Sequence, residues 1–315
     1  MSRPRPLWKP APRDGVSASC VALPTEGDWP GVLAFLAWRL PKVSAAEWAQ
    51  RLAAGDVLDA SGQPVPPDAP YQPGSKLWYW RTLPAEPVVP FQAEILFQDE
   101  HLLVVDKPHF LAMAPKGRYA RETLLARLQA QLGRDGLVPI HRLDRETAGV
   151  VVFCLREQDR NAYHALFRDR QVAKVYEAVA GWRADLPLPT ERISRLETSP
   201  AHFMQVVEVA GEPNAETRIE LLRREGDCAL YRLSPRTGQT HQLRVHMNAL
   251  GLPLRGDRIY PDLLPEPEAG QAPDYSRPLQ LLAREIAFAD PVTGQPRHFV
   301  SRRSLEISVL SSALY

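Results

Sequence analysis

The chain has little of what several protein classes require. Its three cysteines, Cys20, Cys154 and Cys228, are odd in number and far apart, so neither a disulfide framework nor a CxxC zinc site can be drawn. Reduced thiols and a cytoplasmic location are the expectation. No stretch approaches the ~18 uninterrupted apolar residues of a membrane span, and the opening MSRPRPLWKPAPRDG has no apolar segment behind its basic residues, so a secretory leader is not expected either. A surplus of one charge is missing as well: 38 Lys and Arg against 37 Asp and Glu leave a net charge of +1. That excludes a histone-like cationic binder and confines any polyanion site to a local patch. There is no internal repeat, and the missing heptad seam favours a monomer.

What is present in excess is proline, 31 of 315 residues, about twice the usual ~5% and a sign of many extended loops. Hydrophobic residues at 44% and charged residues at 24% are those of a folded globular chain of one or two domains.

Residues 1–24 read as a basic, proline-rich tail: 1–13 hold Arg3, Arg5, Lys9 and Arg13 and no acid, too little apolar surface to order themselves. From 25 to 83 a small α+β module is expected. VLAFLAWRL and AAEWAQRLAAG carry helical spacing, and DVLDASGQPV and GSKLWYWRT suit short strands. Three prolines between Pro84 and Pro90 mark a linker, 84–92. The remainder, 93–315, reads as one domain. EILFQ, LLVVD, AGVVVFCL, KVYEAVAG, TRIELLRR, CALYRLSP and LQLLAREIAFAD are strand-like; ETLLARLQAQLG and DRNAYHALFRDR are helical. Strands outnumber helices without regular βαβ alternation, so the fold class is α+β around a mixed, mostly antiparallel sheet. The proline-rich stretches at 185–190 and 261–278 read as excursions from it.

Three segments can carry chemistry. In HRLDRETAG, residues 141–149, Asp144 sits between Arg142 and Arg145 on a loop that runs straight into an apolar strand. Burial there favours the neutral acid and a guanidinium within about 4 to 6 Å favours the anion. A sheltered anion can serve as nucleophile or base; a salt-bridged loop aspartate is the plain alternative. Between residues 232 and 258, Arg232, Arg236, Arg244, Arg255 and Arg258 face Asp257 as the sole acid. Thr237 or Thr240 is expected to cap the helix THQLRVHMNAL, whose N-terminus favours phosphate, and His241 and Arg244, three apart, share a face. A solvated basic helix is the alternative. His241 and His246 are five apart, which turns their rings roughly 140° from each other, so metal binding is not expected. In KVYEAVAG, alternation puts Lys174 and Tyr176 on one face of a strand, where the tyrosine is either a core aromatic or a pocket wall that stacks on a nucleobase.

Taken together, DKP at 106–108, HRLDRETAG at 141–149, KVYEAVAG at 174–181 and TGQTHQLRVHMNALGLPLRGDRIY at 237–260 resemble the RluA-type family of pseudouridine synthases over about residues 93–300. The module before them resembles a degenerate form of the small RNA-binding domain fused to such enzymes. The resemblance implies isomerisation of uridine in ribosomal or transfer RNA by base flipping, with no metal and no organic cofactor. It implies Asp144 as the catalytic aspartate, Tyr176 as the aromatic against the uracil and the group that takes the carbon-5 proton, and Arg244 as partner of the aspartate. Arg142 would enter the space left by the flipped nucleotide, with His141, Thr240 and His241 contacting substrate. His109-Phe110 after DKP, and Gln239 where arginine is more usual, depart from the family pattern and bear on substrate choice. Two rivals remain: a glycoside hydrolase using Asp144 with Glu146, whose carboxylates would need about 5 to 9.5 Å between them, and a non-catalytic RNA-binding protein, which has no use for a sheltered Asp144.

Overall fold

The computed structural model describes residues 8–13, 15–80, 86–115, 119–265 and 273–307. They fall into two compact units, one drawn from 1–86 and 114–135, the other from 87–113 and 136–315. Among the described residues no helix is long and apolar enough to cross a membrane.

The first unit holds β1 (Ser19–Ala22), α1 (Val32–Arg39), α2 (Ala45–Ala53), β2 (Val57–Leu58), β3 (Lys76–Tyr79) and α3 (Leu124–Leu132). Its three strands pair antiparallel in the order β1-β3-β2. Phe35, Leu36, Trp48, Leu52 and Val57 are fully or almost fully buried and form its core. The expected helices and strands of the module are present, but its limits differ. Part of the expected tail is a strand: Val16, Ala18, Val21 and Leu23 are buried, and that apolar surface, with pairing of Val21 to Leu77, offsets the entropy of ordering the segment. Residues 1–7 and 14 of that tail, and 84–85 of the linker, lie outside the described residues. Helix α3, expected in the second domain, belongs here. Thr123 caps it by accepting from the Ala126 amide, Gly133 ends it at φ 55°, and the Glu86 carboxylate accepts from the amides of Ala120, Arg121 and Glu122 just before it. A linear division of the sequence cannot show such an excursion between units.

The second unit is built on eleven strands: β4 (Glu94–Gln98), β5 (Leu102–Lys107), β6 (Val138–Pro139), β7 (Ala148–Cys154), β8 (Ala173–Gly181), β9 (Thr190–Thr198), β10 (Val206–Val209), β11 (Ala215–Glu225), β12 (Cys228–Pro235), β13 (Leu281–Ala289) and β14 (Pro296–Val300). Its order is β10-β9-β11-β12-β8-β13-β7-β5-β4, with β14 on β13 and β6 on β7. Only β13 and β7 run parallel among these pairs, so the sheet is mixed and mostly antiparallel, as the strand-rich pattern predicts. Helices α4 (Arg160–Arg168) and α5 (Gln242–Ala249) bury apolar faces on it, Tyr163 and Leu166 from the first and Leu243 and Met247 from the second.

The β8-β13-β7 centre positions the site. Ala283 of β13 registers with Tyr176 on one side and Gly149 on the other. At Gly149, φ is 117° and an added Cβ would lie 2.2 Å from the Ala283 carbonyl oxygen. Only glycine permits that approach, and it brings the loop 141–147 beside the start of β8. The loop 236–241, between β12 and α5, completes the enclosure.

Candidate active site

A cavity of about 130 Å3 opens between these loops, lined among others by Arg142, Asp144, Tyr176, Thr240, His241 and Arg244. Of the seven site residues expected from sequence, it brings together all but His141.

Asp144 is a quarter exposed, its side chain at 24%, so it is sheltered yet reachable. Its Oδ2 lies 3.5 Å from Nη1 of Arg244 and 3.8 Å from Nε2 of His241, an approach between segments a hundred residues apart. Arg244, 2% exposed, is held from behind by Asp257: Nε donates to Oδ2 at 2.8 Å and Nη2 to Oδ1 at 2.6 Å. This bidentate grip fixes the guanidinium plane, and although burial works against the charge, the Asp257 and Asp144 carboxylates hold the arginine above its ordinary value. Asp257 also accepts from the amides of Ile259 and Tyr260. Gly256 precedes it at φ 72°, where a Cβ would meet the Pro278 carbonyl oxygen at 2.2 Å; the turn that delivers Asp257 needs glycine.

Tyr176 follows Lys174 on one face of β8, as alternation predicts, and both line the cavity. Burial, then the negative charge of Asp144, push the phenol well above its ordinary value. It is therefore a neutral phenol at neutral pH, suited to stacking on a ring. Lys174 donates to the Thr237 carbonyl at 3.0 Å, and burial lowers its ammonium.

The expected threonine cap is absent. His241 occupies the cap position of α5 at φ 55° with no side-chain cap bond, a left-handed conformation uncommon outside glycine. Thr237 instead donates to Oε1 of Gln242 and accepts from the Glu216 amide, tying the loop to the sheet. Burial holds His241 below its ordinary value; its Nδ1 is 3.1 Å from the Tyr260 hydroxyl. Thr240 and Arg142 are exposed at the rim.

His141 does not line this cavity. Its Nε2 accepts the Val152 amide at 3.1 Å, its ring stacks on Phe167 at 5.1 Å and 14°, and burial pushes the imidazole down to about 3. A neutral ring bonded to β7 anchors the entry of the Asp144 loop. Glu146, the carboxylate the hydrolase reading needs, is absent from the cavity that holds Tyr176 but lines a neighbouring one of about 240 Å3 together with Asp144; what weighs against that reading is that Glu146 is buried and ion-paired to Arg145 at 2.6 Å.

Residues 101–249 match a family model described as RNA pseudouridylate synthase. An uncharacterized RNA pseudouridine synthase of Synechocystis is 33% identical over 216 residues, 68% of this chain and 73% of that protein. The dual-specificity RNA pseudouridine synthase RluA of Yersinia pestis is 33% identical, covering 65% of this chain and 96% of its own length. The chain belongs to the RluA-type family of RNA pseudouridine synthases. A solved structure, Human RNA Pseudouridylate Synthase Domain Containing 1, shares the fold at a TM-score of 0.55 and 21% identity, over 70% of this chain and 86% of that one. This synthase is thus an isomerase acting on uridine in RNA.

Two residues around the synthase site were not singled out by sequence reasoning. Asp257 was visible only as the lone acid in a basic segment; that isolation is the signal, since a buried arginine needs an acid. Lys107, noted only within DKP, is fully buried, and its Nζ donates to the carbonyls of Pro108, Leu111 and Arg145 at 3.0, 2.8 and 2.9 Å. The last of these latches the Asp144 loop to the end of β5. Burial lowers the ammonium to about 7.

Proposed function

We propose that the protein isomerises specific uridines in structured ribosomal or transfer RNA by flipping the nucleotide into the Asp144 cavity, breaking the glycosidic bond with help from Asp144, and joining the sugar carbon to carbon 5 of the uracil, with the proton on carbon 5 released and one taken up at N1. The observation that carries this reading is the convergence of Asp144, Arg244 and Tyr176 on one cavity from three distant segments.

The geometry supports the following steps. A base stacked in RNA is out of reach of a protein carboxylate, and its extrusion costs a few kcal/mol. Arg142, exposed at the rim, offsets part of that cost by occupying the gap. Tyr176 lies against the flipped ring. Bond cleavage places positive character on the sugar and negative character on the uracil, and preorganised charges aimed at both stabilise the transition state. Asp144 supplies the carboxylate; Arg244, pinned by Asp257, orients it, and Thr240 and His241 contact the substrate beside it. The buried phenol of Tyr176 supports its stacking role more than proton abstraction, because it must lose its own proton before it can take one from carbon 5. Action on ribosomal or transfer RNA places the protein in the cytoplasm, and we take it to work as a monomer.

Asp144→Asn keeps the shape of the side chain and removes its charge. The expected outcome is loss of pseudouridine formation to background while RNA affinity stays within a few-fold of wild type; turnover retained by this variant would overturn the reading. Mapping pseudouridines in RNA from cells with and without the protein identifies the target.

A further inference from the structure

Beside the Asp144 cavity lies a second one of about 340 Å3, sharing Arg142, Lys174, Tyr176 and the 237–239 loop with it and extending to Phe167, Arg168, Arg170 and Arg236. No acid lines it. Arg168 and Arg236 are ion-paired, to Asp169 at 2.9 Å and Glu216 at 2.8 Å. Arg142 and Arg170 have no acid partner among the described residues. Unpaired cations around an acid-free concavity focus a positive potential.

The backbone at Arg170 adds a second, independent observation. Helix α4 ends in a Schellman turn: the Gln171 amide bonds back to the Leu166 carbonyl at 2.8 Å and the Arg170 amide to the Phe167 carbonyl. That arrangement places Arg170 at φ 55°, the left-handed position at which helices ordinarily carry glycine. A residue with a Cβ is strained there, and strain that persists points to a side chain wanted for something other than folding. Arg170 is exposed, so packing does not account for it.

We propose that this second cavity is a subsite for the phosphodiester backbone of RNA flanking the target uridine, with Arg170 as its principal phosphate-binding residue. The inference rests on the function proposed above, since the two cavities share a wall and one RNA strand would cross both. A nucleotide flipped into the first cavity carries its neighbouring phosphate past Arg142 and Lys174 toward Arg170.

Arg170→Gly gives a test in which fold and binding move in opposite directions. Glycine relaxes the left-handed residue, so the melting temperature should stay the same or rise, whereas affinity for the RNA should fall. Binding is measured over a salt series with total transfer RNA and with ribosomal RNA fragments from cells lacking the protein. The expected result is a Kd raised about tenfold near physiological salt. The slope of log K against log salt should become shallower by about 0.7 to 0.9, the counterion release of one phosphate contact. The rate at saturating RNA should be unchanged, and Arg170→Lys, which keeps the charge, should bind close to wild type. Unchanged Kd and salt slope in Arg170→Gly, or a lower melting temperature, would overturn the subsite. Those results with turnover intact would leave the function standing. A wild-type protein that forms no pseudouridine in either RNA would instead sink the function itself.

Discussion

Two buried cations flank the Asp144 loop, and the fold treats them differently. Arg244 is gripped by the Asp257 carboxylate, faces Asp144 and is held above its ordinary value. Lys107 is equally hidden but meets three carbonyl oxygens and, among the described residues, no carboxylate within ion-pair distance, and burial lowers it to about 7. Carbonyl dipoles compensate a buried charge less well than a carboxylate does. The guanidinium side therefore stays charged, while the ammonium side is a structural latch whose charge is marginal near neutrality. The partner, more than the burial, decides whether a cation near this site keeps its charge.

The sharpest way to break that contrast is to remove the acid behind Arg244. Asp257→Ala leaves a buried, unpaired guanidinium, for which a stability loss of roughly 3 to 5 kcal/mol is expected, read as a lower denaturant midpoint at unchanged slope. Pseudouridine formation should collapse with it, because Arg244 is then free to swing away from Asp144 or to pair with it alone. A variant within 1 kcal/mol of wild type would show that Asp257 does not hold the arginine.

Arg244→Lys is gentler and separates charge from shape. An ammonium keeps the positive charge but cannot make two parallel bonds to Asp257 while reaching Asp144. A stability loss of about 1 to 3 kcal/mol and a clear fall in kcat are expected. Wild-type kcat would mean that a point charge suffices and that the planar fork is incidental.

The same contrast explains how much of the molecule was legible in its sequence. Segments with a strong period or strong local chemistry were readable: the apolar run of β7, the alternation that puts Lys174 and Tyr176 together, the fold class, and the loop that carries Asp144. Strands β9 and β10 were not. β9 is TERISRLET with only Leu196 buried, so no apolar alternation announces it. Helix α3 was read correctly as a helix but given to the wrong unit, because its amphipathic pattern states that a face is buried and not against what. The threonine cap failed because Thr237 is engaged by Gln242, a tertiary bond that outcompetes a local one. Around the site, the pairing of Asp144 with Arg244 came from the family resemblance, since spacing alone cannot join positions a hundred apart. The buried state of Lys107 was invisible for the same reason: a lysine after a strand is ordinarily a solvated one.

Lys107 offers the smallest effect at neutral pH and the most distinctive dependence on it. Lys107→Met removes the donors to three carbonyls but also the cost of burying a charge, so a net change of roughly 1 kcal/mol near pH 7 is expected. The sign of the pH dependence follows from linkage. The unfolded lysine titrates near 10.5 and the folded one at about 7. Below about 7 both states carry the proton and the folded state bears the full burial cost. As pH rises from about 7 toward 10.5, the unfolded chain binds more protons than the folded one, so the lysine's contribution to stability rises with pH. Above 10.5 both are neutral and the contribution levels off. Subtracting the methionine variant's stability from that of wild type at each pH cancels the other titrating groups and should leave a curve that climbs through this window. A flat difference would show that Lys107 keeps its charge in the folded state, and the distinction between a carboxylate-held arginine and a carbonyl-held lysine would then fail on the lysine side.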